Sequence, residues 1–143
     1  MKKVIIALIV SAFLFAGCSG NSDGVVEISE RFFFTQINNI VLNHNEYLGK
    51  TIQYEGMFGA QPIDGEEDDV YVVYRFLLDC CGPAGVTGFM VDLGDFEPPP
   101  AEAWVEVVGV LEEFVGSDGL TRLRLALTSI TELPERGNEF IQL

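Results

Sequence analysis

Two stretches of this chain limit its fold more than any other feature. "TIQYEGMF" (51–58) places Ile52, Tyr54, Gly56 and Phe58 on one face, and "WVEVVGVLEEF" (104–114) repeats the strand pattern around Gly109. A period of two predicts strands, because successive side chains on a strand point to opposite faces. Glycine weakens a strand interior, so it is tolerated where the strand bends or another backbone comes close. Two bent strands point to a curved sheet that closes on itself.

The remaining pattern agrees. "VYVVYRFLL" (70–78) is β-branched and aromatic on both faces, "VTGFMVDL" (86–93) predicts a third strand, and "LTRLRLALTSITEL" (120–133) a fifth. "GSDG" (116–119) between the last two is a hairpin turn signal. "TQINNIVLNHNEYLGK" (35–50) changes period: Phe33, Ile37, Ile40, Val41 and His44 follow helical spacing, with Thr35 as the cap and Asn45 and Gly49 at the end. The predicted class is all-β with one short helix, arranged as an OB-like five-stranded Greek-key barrel. Pro98, Pro99 and Pro100 stand where an OB-fold carries its helix between strands three and four, and the helix here precedes strand one.

The amino-terminal "MKKVIIALIVSAFLFAGCSG" runs from Lys2 and Lys3 through an apolar core to small residues and Cys18. That order is the order of a secretory signal, and the apolar core is short for a transmembrane helix, which needs about 20 residues. "FAGC" resembles a bacterial lipobox, whose cysteine is acylated. The expected organisation is a lipoprotein signal peptide over 1–17, a flexible tether over 18–24 and one barrel domain over 25–143, held at the outer face of a bacterial cell membrane by lipid on Cys18. All 22 acidic residues follow Cys18 and two of the eight basic ones precede it. A surface so acidic is a poor partner for nucleic acid or for anionic lipid headgroups. The anchor must therefore come from the lipid.

"YLGKTIQYEGMF", "YRFLLDCCGPAGVTGFMVDL" and "WVEVVGVLEE" together resemble the extracytoplasmic domain of the YcgQ-like bacterial family. Gly49-Lys50 before strand one, Arg75-Phe76 leading to Cys80-Cys81, and Trp104-Val105 opening strand four carry the likeness. The resemblance implies an OB-like domain outside the membrane and work beside a multi-spanning permease. Family members carry membrane helices ahead of the domain, where this chain has its lipoprotein-like segment. No catalytic activity comes with the resemblance.

Cys80 and Cys81 are the candidate chemistry. Adjacent trans residues hold their Cα atoms 3.80 Å apart, below the 4.4–6.8 Å that disulfides prefer, so a structural staple is disfavoured. Two thiolates suit a soft metal ion or metalloid. A strained disulfide switch and simple core packing are the competing readings. Gly82-Pro83 is expected to end the strand and let the sulfurs converge. Asp79 and His44, the single histidine, are candidates to complete the site, although a helix-end role suits His44 better. "DGEEDD" (64–69) lacks EF-hand spacing and reads as a solvated loop. Trp104 reads as core.

The chain has no "GxSxG", no phosphate loop and no "GxGxxG", so no enzyme class is favoured. The sequence predicts a lipid-anchored accessory module of a membrane transport system, with a soft metal ion at Cys80 and Cys81 and a permease as partner. The alternatives are a non-catalytic interaction module and a thiol redox protein.

Overall fold

The computed structural model describes residues 24–62 and 69–143. Cys18, the signal-like segment and all of the acidic loop except Asp69 lie outside these residues. The order along the chain is β1 (Val26–Glu27), a 3₁₀ turn (Glu30–Phe32), α1 (Phe33–Leu42), α2 (His44–Tyr47), β2 (Thr51–Gln61), β3 (Val70–Asp79), β4 (Gly82–Asp92), β5 (Trp104–Val115), β6 (Thr121–Glu132) and β7 (Phe140–Gln142). The protein is all-β with two short helices.

The five long strands pair in a closed circuit. β2 pairs with β5, β5 with β6, β6 with β4, β4 with β3, and β3 again with β2. Four of these pairings are antiparallel. The fifth, β4 to β6, is parallel and short, joining Met90–Asp92 to Arg124–Ala126. The circuit pairs each of the five long strands on both sides over part of its length, which shortens the edges left open. Gly56 is one of the devices that permit the return. β2 meets β3 only from Met57 onward, and a Cβ on Gly56 would lie 2.9 Å from the Tyr74 carbonyl oxygen.

Inward positions of the strands form one core, with Ile52, Tyr54, Val73, Phe89, Val105, Val107, Leu111 and Leu125 buried. α1 buries Phe33, Ile37 and Ile40 into the same cluster. Their spacing of four and three residues is that of one helical face, so α1 packs that face onto the core of the sheet. The helix starts at Phe33, with no side-chain cap, rather than at a Thr35 cap. The preceding 3₁₀ turn supplies the change of direction that the cap was expected to mark. Trp104 is buried as expected, on the outer side with Met57 and Tyr74. The proline interval between β5 and its predecessor holds no helix.

Two departures matter for function. Gly82-Pro83 does not break the sheet. It opens β4, pairing with Leu78 and Asp79, so the third strand begins four residues earlier than "VTGFMVDL" indicates. The chain's end adds β7 alongside β3, parallel, with Phe76–Leu78 paired to Phe140–Gln142. Beyond Tyr74, β3 has therefore exchanged β2 for β7, and before Met90, β4 has no partnership with β6. A three-stranded ribbon β4–β3–β7 leaves the circuit there.

Candidate functional site

The ribbon ends in Cys80 and Cys81. Asp79 pairs with Gly82, so the two cysteines are the whole of a two-residue hairpin loop. Such loops usually need a residue with positive φ. Here Gly82 takes that conformation, at φ +131°, and both cysteines keep negative φ. The Asp79 carboxylate accepts the Cys81 backbone N–H at 2.8 Å, an Asx turn that fixes the loop from its first residue.

The turn brings the thiols together. On a continuing strand they would point to opposite faces. In the loop the two Sγ atoms lie 3.1 Å apart, sharing a hydrogen bond. Both residues are exposed, which removes core packing as their role. One carboxylate oxygen of Asp79 and the two sulfurs all fall within 4.8 Å of one another, and this is the one cluster with metal-ligand chemistry among the described residues. The shared hydrogen bond raises the Cys81 thiol above its ordinary value, and desolvation adds in the same direction. An incoming ion must displace that proton, since the thiolate is the ligand.

The donor set fits a soft ion. A tetrahedral thiolate ion with bonds of about 2.3 Å wants its sulfurs about 3.8 Å apart, which these exposed side chains reach by a small rotation. Cys80 and Cys81 would supply the soft bonds and Asp79 a weaker third. A four-coordinate ion would keep one position open to solvent.

His44 is elsewhere. Its Nδ1 lies 3.2 Å from the Val41 carbonyl oxygen and its Nε2 3.5 Å from Glu113, so it closes the end of α1 and ties it to β5. This is the helix-end role. With Phe34, Ile37, Val86 and Leu123 it lines a groove of about 950 Å³ where β4 and β6 part.

Arg75 is the residue of the "RF" pair whose importance the pattern alone does not reveal. It lies at the point where β3 leaves β2, and it is 2 % exposed. Its Nε donates to the Glu55 carbonyl oxygen at 2.9 Å and its Nη1 to that of Asn138 at 3.2 Å. The guanidinium lies 4.3 Å from the centre of the Phe33 ring and 5.0 Å from that of Trp104. Trp104 in turn donates its indole N–H to the Glu55 carboxylate. Burial lowers the Arg75 pKa, with Glu30, Glu55 and Tyr54 acting against that shift.

The DUF1980 C-terminal domain family model matches residues 17–141, nearly the whole chain. The chain belongs to the DUF1980 C-terminal domain family. No curated protein and no solved structure matches it significantly. In this DUF1980 C-terminal domain the segment that carries the cysteines is a hairpin braced on one side by β7 and anchored at its base by Arg75. Among the described residues no helix is long and apolar enough to cross a membrane.

Proposed function

We propose that this DUF1980 C-terminal domain is a lipid-anchored, non-catalytic accessory module at the outer face of a bacterial cell membrane. It takes up a soft metal ion or metalloid at Cys80 and Cys81 for a membrane transport system, with a permease as its partner. The convergence of two exposed sulfurs and a carboxylate oxygen within 4.8 Å carries the reading. The "FAGC" segment supports the anchor and the acidic composition argues against nucleic acid.

The test is a cadmium titration of the full chain in detergent, followed by thiolate-to-metal absorption in the ultraviolet. One equivalent should bind, and Cys80→Ser or Cys81→Ser should remove most of it, because a hydroxyl is not a soft donor. Stability should change little, since serine at an exposed tip reaches water. Equal cadmium uptake by the parent and a Cys80→Ser/Cys81→Ser double variant would refute the site. Loss of acyl labelling in Cys18→Ala is the matching test of the anchor. The 3.1 Å sulfur separation also favours a second reading, a redox pair. A reversible loss of both thiols under mild oxidation, without cadmium uptake by the reduced chain, would select it.

A further inference from the structure

All three donors of the hairpin site come from one side. Asp79, Cys80 and Cys81 are consecutive and exposed, and no other described His, Cys, Asp or Glu completes the cluster. The loop stands about 10 Å beyond Leu77, the ribbon residue that still packs against the core, at about 3.3 Å per strand residue. From Cys80 to Val91 the chain carries no charged side chain, in a molecule with 22 acidic residues. Pro83, Ala84 and Val86 on this flank are exposed. Structural zinc sites differ in being closed, with all four positions filled by protein ligands.

We propose that the β3–β4 hairpin is a transfer arm, which passes its ion directly to thiolates of an acceptor protein instead of releasing it to water. This rests on the thiolate site described above. In the first step an acceptor thiol gives up its proton and its sulfur bonds to the ion at the open position. The bond to Cys80 or Cys81 then breaks, and the freed thiolate takes a proton. A second acceptor thiol repeats the exchange. The oxidation state of the ion is unchanged, and one proton is taken up for each one given up. Carboxylate or water cannot compete with two thiolates for a soft ion, so the acceptor must itself be thiolate-bearing. An anionic thiolate can approach the tip because the adjacent β4 flank carries no charge.

The experiment loads the full chain in detergent with cadmium, mixes it with a Cys-Xaa-Xaa-Cys peptide and follows the cadmium left on the chain by rapid separation from the much smaller peptide. The Cys80→Ser/Cys81→Ser double variant supplies the background, including any contribution of Cys18. Direct exchange predicts a rate proportional to peptide, so tenfold more peptide gives about tenfold faster transfer. A rate that stays constant across that range means that the ion dissociates first, and it overturns the transfer arm while leaving the binding site intact. A chain that takes up no cadmium above the background overturns both.

Discussion

A single hydroxyl inside the barrel illustrates how much one residue can carry here. Tyr54 is buried, and its Oη donates to the Val73 carbonyl oxygen at 2.7 Å while accepting the Phe89 N–H at 3.1 Å. Val73 and Phe89 are paired across β3 and β4. The hydroxyl from β2 is therefore inserted into the base of the hairpin that ends in the cysteines. Burial pushes the Tyr54 pKa well above its ordinary value, with the Phe89 N–H and Arg75 acting against it. The group stays protonated and remains a donor. Tyr54→Phe leaves one buried acceptor and one buried donor without this partner, and should cost about 1–3 kcal/mol. Urea unfolding of the two proteins measures it, and a loss below about 0.5 kcal/mol would show that Val73 and Phe89 re-pair directly. The alternation in "TIQYEGMF" places Tyr54 inward but says nothing of a hydroxyl linking two other strands. The cysteines were legible in the opposite way. Residue type marked them as candidate soft donors and suggested that their sulfurs converge, but not that the pair itself forms the turn while Gly82-Pro83 opens the next strand. Hairpin loops are normally signalled by Asn-Gly or Asp-Gly, and here the glycine follows the loop.

Among elements, length decided what the pattern could reveal. β2 to β6 each run 10 to 12 residues, enough for a period of two to show. β1 and β7 have two and three residues, too few for any period, and both exist by pairing with a strand already in place. The β5–β6 connection was legible because its turn chemistry is local. Gly119 takes φ +81°, and Asp118 holds the Leu120 N–H and both ends of the Arg122 guanidinium. The Arg122 hydrogen bond, followed by the Leu120 N–H, lowers the Asp118 pKa from 3.8 to about 2. A depressed carboxylate pKa means that the support is complete above the unfolded value and lost as pH falls through the folded one. The turn should therefore be intact above about pH 4 and loosen as pH approaches 2. Carbon-13 NMR of the Asp118 carboxyl checks this directly. A midpoint near 4 would show that the Arg122 contact is not held in solution. The exposed site makes this a local change and not a cause of global unfolding.

At the scale of the whole molecule, one buried cation joins the parts that the strand pattern leaves separate. The barrel circuit, α1, the C-terminal segment and the cysteine ribbon meet at Arg75, through the Glu55 and Asn138 carbonyl oxygens and the Phe33 and Trp104 rings. Gly137 packs against the same indole, and the Asn138 N–H donates to Glu30, whose carboxylate lies 3.8 Å from Arg75. A guanidinium suits this place because it is planar enough to lie against rings and carries donors in several directions. Arg75→Met keeps much of the stem and its apolar contacts, but it removes both bonds to main-chain oxygens and leaves Glu30 and Glu55 without their cation. The expected loss is about 2–4 kcal/mol, between that of a hydrogen bond to a charged group and that of a broken buried pair. Because β7 is short and depends on its neighbours, the loss should be uneven. Amide exchange of Phe140–Gln142 and of Phe76–Leu78 should speed up more than that of β5 and β6. Uniform acceleration across all strands would mean that Arg75 stabilises the barrel as a whole and does not specifically clamp the ribbon that presents the thiols.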